Sequence, residues 1–145
     1  MSYITPDDEA NEDRIGARLG PILNCEFRRF ARYTPLDQWA MRDERMVALA
    51  ELKHRTHEYG AFPDTWLPLR KWLALVLGQQ GCGVPAIYGV EWGDGAIGYA
   101  HAADINPRGR IRIVRADNAE GPRAVEPVIE VPLDTFTMLG KGSNE

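Results

Sequence analysis

The feature that most constrains this chain is a pair of apolar, strand-compatible segments, residues 36–41 and 46–54, separated only by Arg42-Asp43-Glu44-Arg45. Apolar runs of this length joined by a short polar spacer form an antiparallel hairpin. With a turn centred on Glu44, Met41 faces Val47, Trp39 faces Leu49 and Asp37 faces Glu51. Facing residues lie about 4.5–5.5 Å apart at Cβ, on one side of the sheet. Alternation along the strand puts Lys53 on the side of Glu51. Two carboxylates and an ammonium thus meet at one end of the hairpin, above an apolar floor. A slip of one residue would turn Glu51 to the opposite face, so the reading depends on register.

The rest of the chain supplies a frame for that hairpin. Residues 7–19 read as a helix: Asp7 or Asp8 caps it, carboxylates fill its first turn, and Ile15 and Leu19 make an apolar i, i+4 pair. Gly20-Pro21 is expected to end or bend it. Residues 25–30 read as a strand, and residues 55–65, rich in Gly, Pro and polar side chains, as a loop. Residues 67–77 form a second helix, with Pro68 in its first turn and a stripe of Leu69, Trp72, Leu73 and Val76. Gly78 to Pro85 is expected to break it. Residues 86–92 and 96–102 make another hairpin about Gly93-Asp94-Gly95, with short strands at 110–114 and 128–131. The order is that of an α/β domain whose central mixed β-sheet is flanked by helices.

At 145 residues the chain suits one domain with an ordinary core. We expect a flexible N-terminus at 1–8, a single domain at 9–138 and a flexible tail at 139–145. No apolar run is long enough to span a bilayer, the acidic start lacks a signal-peptide core, and Cys25 and Cys82 imply no disulfide framework. A cytoplasmic setting is expected. The net charge of −4 stems largely from five carboxylates (Asp7, Asp8, Glu9, Glu12, Asp13) among the first 13 residues. Basic residues cluster elsewhere: Arg28, Arg29 and Arg32; His54 and Arg55; Arg70 and Lys71; and Arg108, Arg110, Arg112 and Arg115. Charge alone neither supports nor excludes a nucleic-acid partner.

Clustered carboxylates repel, and a divalent hard cation such as Mg²⁺ or Mn²⁺ relieves that repulsion through oxygen ligands. Such an ion polarises a phosphate and activates water, while a neighbouring lysine positions the water, takes its proton or stabilises charge on the phosphorane. The plain alternative is a surface hairpin with a minor Glu51–Lys53 ion pair. An apolar strand running straight into Glu51-Leu52-Lys53, opposite an Asp, favours the chemical reading.

The segment PLDQWAMRDERMVALAELKHRTH resembles the signature hairpin of the PD-(D/E)XK nuclease superfamily: an Asp opening one strand, then (Asp/Glu)-x-Lys on the next. Leu36 stands where Pro would precede the Asp, with Pro35 one residue further back. The resemblance implies a restriction-endonuclease-like core and metal-dependent hydrolysis of DNA, endo- or exonucleolytic. It makes Asp37, Glu51 and Lys53 catalytic, and assigns the metal to Asp37, Glu51, the Leu52 carbonyl and an accessory helix carboxylate. Glu12 matches that position, with Glu26 the competing choice and a plain dipole-favoured carboxylate the structural one. Lys71 fits a basic residue that relatives place on the following helix, or is a solvated lysine. Arg55 and His54 would contact nucleic acid. By analogy such a chain acts as a homodimer or within a larger replication or recombination assembly. The competing function is a catalytically silent nuclease-fold module that binds nucleic acid or a protein.

Other motifs are weaker. On a strand, His54 and His57 point to opposite faces, which disfavours a zinc pair. Gly78, Gly81 and Gly83 follow a helix rather than join a strand to one, as a phosphate-binding loop requires.

Overall fold

The computed structural model describes residues 6–31, 34, 36–115 and 125–140. Arg32 lies outside them, as do residues 1–5 and 141–145; of the stretches expected to be flexible, 1–8 and 139–145, residues 6–8 open a helix and 139–140 close a strand. The elements are α1 (Pro6–Leu23), β1 (Glu26–Arg29), β2 (Gln38–Arg42), β3 (Arg45–His54), β4 (Asp64–Pro68), α2 (Leu69–Cys82), β5 (Ala86–Glu91), β6 (Ile97–His101), β7 (Ile111–Arg115), β8 (Val125–Pro132) and β9 (Thr137–Gly140). Six strands form a central sheet in the order β1-β2-β3-β5-β6-β9. Only β3 and β5 run parallel in it, so the sheet is mixed. A parallel pair needs a crossover, and β4 with α2 supplies it.

A small antiparallel sheet, β4-β8-β7, was not expected from the sequence. Part of the expected 55–65 loop is strand β4, which includes Trp66. The alternation of Thr65 and Leu67, both buried, against half-exposed Asp64 and Trp66 marks a strand packed on one face. Leu67, Ile129 and Val131 from this sheet close over Tyr88, Val90 and Trp92 of the central one.

Both helices outrun their expected ends. α1 continues through Gly20-Pro21 to Leu23, because Gly20 carries no Cβ to clash with the proline ring. It stops where Asn24 takes a left-handed φ of 54°. α2 starts after Pro68 and passes through Gly78 to Cys82. Gly78 serves close packing: a Cβ there would fall 2.5 Å from Leu49 Cδ1 and 3.1 Å from Leu36 Cδ1. Leu73, placed in the apolar stripe by sequence, is 46% exposed, and Leu75 is the fully buried residue instead.

The two faces of β3 divide the molecule. Ala50 and Leu52 pack with Ile15 and Leu19 of α1. Leu49 packs with Leu75 of α2, and farther along that face stand Glu51 and Lys53.

Candidate active site

The β2–β3 register places the first pair of acids. Gln38 pairs with Ala50, Trp39 with Leu49 and Ala40 with Ala48, so the strand alignment carries Asp37, just ahead of β2, to Glu51 as expected. Nearer the turn the expectation needs correcting: Met41 pairs with Met46, not Val47, because the ladder slips between Ala40 and Met41. Asp43 (φ 51°) and Glu44 (φ 63°) form a two-residue turn that sets Arg42 opposite Arg45. Continued without a break, that pairing would set Asp37 against Ala50 and turn Glu51 to the other face. Val47 is the extra residue of a β-bulge that reconciles the turn with the site.

Asp37 and Glu51 open into a cleft of about 450 Å³, whose lining also includes Glu12, Lys53, Trp66, Lys71 and Arg115. Lys71, from the first turn of α2, is buried rather than solvated. Its Nζ donates to Asp37 Oδ1 at 2.8 Å and lies 3.4 Å from Glu51 Oε1. The latter approach lacks hydrogen-bond geometry, and Glu51 Oε1 is a buried oxygen without a hydrogen bond. Glu12, 6% exposed on α1, accepts from Arg29 Nη1 at 2.8 Å and Gln38 Nε2 at 3.4 Å. Glu26 points to solvent and pairs with Arg28 at 2.6 Å.

The electrostatics follow from this crowding. Burial, then the charge of Asp37, pushes the Glu51 carboxyl well above its ordinary range, and Lys71 offsets only part of that. Burial also pushes Asp37 up, but the hydrogen bond from Glu51 and the charge of Lys71 outweigh it and hold Asp37 low. The pair is thus driven apart, Glu51 toward its neutral form and Asp37 toward its anion. Glu12 is raised by burial and then by Asp37, against the pull of Arg29 and Gln38. Burial lowers Lys71, but Glu51 and Asp37 overcome it and leave the ammonium more basic than usual.

Lys53 is exposed at the cleft and makes no ion pair or hydrogen bond among the described residues. Leu52 buries its side chain on the α1 face. The structure spends Arg55 on protein partners: Nε donates to Thr65 Oγ1 at 3.1 Å, and Nη2 to the Trp66 carbonyl and Tyr88 Oη. His54 Nδ1 lies 2.8 Å from Glu91 Oε1, which draws its ring toward α1. Asp37, Glu51, Lys53, Glu12 and Lys71 therefore converge, while Arg55 and His54 brace the walls. The resemblance pointed to Lys71, but its place opposite the expected apolar stripe pointed to solvent; its burial and its partners depend on tertiary packing.

The residues present fit a divalent ion. Glu51 Oε1 is buried without a hydrogen bond, Asp37 is its neighbour, and both are hard oxygen donors facing an open cleft. Among the described residues no group of three His, Cys, Asp or Glu side chains is gathered as a ready-made cage, consistent with Glu12 being held by Arg29. Nor is any described helix long and apolar enough to cross a membrane.

Comparison with known proteins agrees with this architecture. The fold is similar to the solved structure of Hjc, a Holliday junction resolvase from the archaeal hyperthermophile Archaeoglobus fulgidus: 13% identity, 88% of this chain and 91% of that chain covered, TM-score 0.54. At that identity the likeness concerns the fold alone. Among curated proteins, none matches the chain. Residues 1–139 match the family described as "Phage putative PDDEXK endonuclease". The chain belongs to that family of phage PDDEXK endonucleases.

Proposed function

We propose that this chain hydrolyses DNA phosphodiester bonds with the help of Mg²⁺ or Mn²⁺. The observation that carries the reading is the buried Glu51 Oε1, without a hydrogen bond, beside Asp37 at the head of an open cleft. Buried polar atoms without partners are rare, and they concentrate where a ligand completes them. Asp37, Glu51 and the Leu52 carbonyl would hold the ion, with Glu12 as the accessory carboxylate once it leaves Arg29. When bound, the ion supplies Lewis acidity toward the phosphate and lowers the pKa of water.

The chain's own residues do the rest. Lys53 Nζ stands two residues from Glu51 on the same strand face, where it can orient or deprotonate the attacking water, or hydrogen-bond the phosphoryl oxygen. Lys71 neutralises the two acids and can turn to a substrate phosphate when a cation takes over that task.

One observation favours the silent-module alternative: Lys71 already sits between both carboxylates. Labelled single-stranded, duplex and branched DNA incubated with Mg²⁺ or Mn²⁺ separates the two. Cleavage is expected, with EDTA, Asp37→Ala and Lys53→Ala each abolishing it. Cleavage that survives Lys53→Ala and EDTA would overturn the assignment, and inert wild-type protein on every DNA would favour the silent module.

A further inference from the structure

The far wall of the cleft is the outer face of the small sheet, and it carries an unusual residue. Of the four tryptophans, Trp92 is fully buried and Trp39 and Trp72 pack against apolar clusters. Trp66 is 38% exposed, belongs to none of those clusters and faces the cleft. The exposed part of the indole forgoes a fraction of the about 1.5–3 kcal/mol that full burial of a large apolar side chain supplies. Looseness of the strand does not explain it, because Thr65 and Leu67 on either side are buried.

The backbone beneath the ring is fixed to the catalytic strand. The Trp66 carbonyl accepts from Tyr88 Oη at 2.8 Å and from Arg55 Nη2, while Arg55 also holds Thr65. Arg55 follows Glu51 by four residues, about 13 Å of strand. The Arg112 guanidinium stands 5.7 Å from the Trp66 ring centroid, with Glu130 3.6 Å from it. Arg115 and Lys53 line the same cleft and make no ion pair among the described residues.

We propose that Trp66 is a stacking platform for an unpaired base of the DNA held in the cleft, with Arg115 and Lys53 meeting the flanking phosphates. The proposal rests on the nuclease reading above and names its substrate class: DNA with unpaired nucleotides near the scissile phosphate. Any base can stack on an indole whatever its sequence. In an intact duplex both faces of an interior base are already covered by its neighbours, so Trp66 engages a base left unpaired, as in a single strand or at a fork. Phosphate contacts position either kind of DNA and do not discriminate between them.

The test measures binding in EDTA, so that nothing is cleaved, with two fluorescein-labelled probes: a dT oligonucleotide and a long blunt-ended duplex with no unpaired base. Trp66→Ala is expected to weaken dT binding about 5- to 100-fold, the range of one base–aromatic stack, and duplex binding by less than about twofold. Trp66→Phe should keep most of the dT affinity. Independently, unlabelled dT should quench wild-type tryptophan fluorescence and fail to do so in Trp66→Phe, which serves if the alanine variant does not fold. Equal losses on both probes, or no quenching in the wild type, overturn the proposal. Protein that binds in this pattern yet hydrolyses nothing removes the nuclease reading and leaves the platform. Protein that cleaves with Trp66 indifferent removes the platform alone.

Discussion

Two acid clusters flank the β3–β5 pair, and they are built in opposite ways. On the α1 side, Glu91 is 5% exposed and meets three partners: Arg14 Nε at 3.1 Å, Arg18 Nη1 at 2.9 Å and His54 Nδ1 at 2.8 Å. Burial alone would raise its carboxyl, but hydrogen bonds from Arg14, Arg18 and His54 lower it to about 2. On the cleft side, Asp37, Glu51 and Glu12 crowd together, Lys71 neutralises only part of their charge, and Glu51 is left raised with an orphaned oxygen. The first cluster is satisfied and clamps α1 to the sheet; Arg18 also reaches the Gly95 carbonyl at 2.9 Å. The second is incomplete. A carboxylate with every partner in place has nothing left to offer a ligand, whereas one short of partners is a site.

The sharpest way to break this contrast is Glu51→Gln. Under the proposed mechanism, loss of this carboxylate should lower cleavage by about 10³-fold or more, since a bound ion would supply several kcal/mol to the transition state. Stability should move the other way, rising by about 1 kcal/mol in denaturant unfolding without metal. The amide can donate to Asp37 as a neutral acid does, without the cost of either protonating or burying a second carboxylate at neutral pH. Mn²⁺ should stabilise the wild type and not this variant. A variant both inactive and less stable would place Glu51 among structural acids, beside Glu91.

The reverse is expected at Glu91. Glu91→Gln should lose about 2 kcal/mol, reduced from the value of a fully buried pair because Arg14 is half exposed, and should leave neutral-pH cleavage intact while the protein is folded. The pH dependence has a definite sign. A folded-state pKa depressed from an ordinary 4.5 to about 2 gives stability that is fully present above pH 4.5 and lost as pH falls toward 2. Acid unfolding of wild type and variant should therefore converge across that window. Curves that stay parallel would deny the clamp.

This contrast also shows what was legible in the sequence. The acid pair was, because period-two alternation and one correct register suffice to place Asp37 opposite Glu51. So was the mixed sheet with its flanking helices. The small sheet was not: β4 is five residues with a proline at its end, and its partner β8 lies some 60 residues away, so no local pattern announces the pairing. Lys71 and Glu91 share that difficulty, since each is defined by partners about 20 or more residues distant. Gly78 read as a helix breaker because propensity cannot see the Leu49 side chain that needs the space.

The smallest effect belongs to the hairpin turn, and it tests whether the site depends on it. Glu44 holds a φ of 63°, a region that costs an L-residue roughly 1–2 kcal/mol and glycine nothing sterically. Glycine repays part of that through its greater unfolded-state freedom, so Glu44→Gly should gain about 0.5 kcal/mol. Cleavage should stay unchanged, because the bulge at Val47 resets the ladder before it reaches Ala48, and Glu51 keeps the face it shares with Asp37. Unfolding titrations and initial cleavage rates on one DNA substrate measure both. If the turn variant instead lost activity, the strained turn and not the bulge would be holding Glu51 toward Asp37.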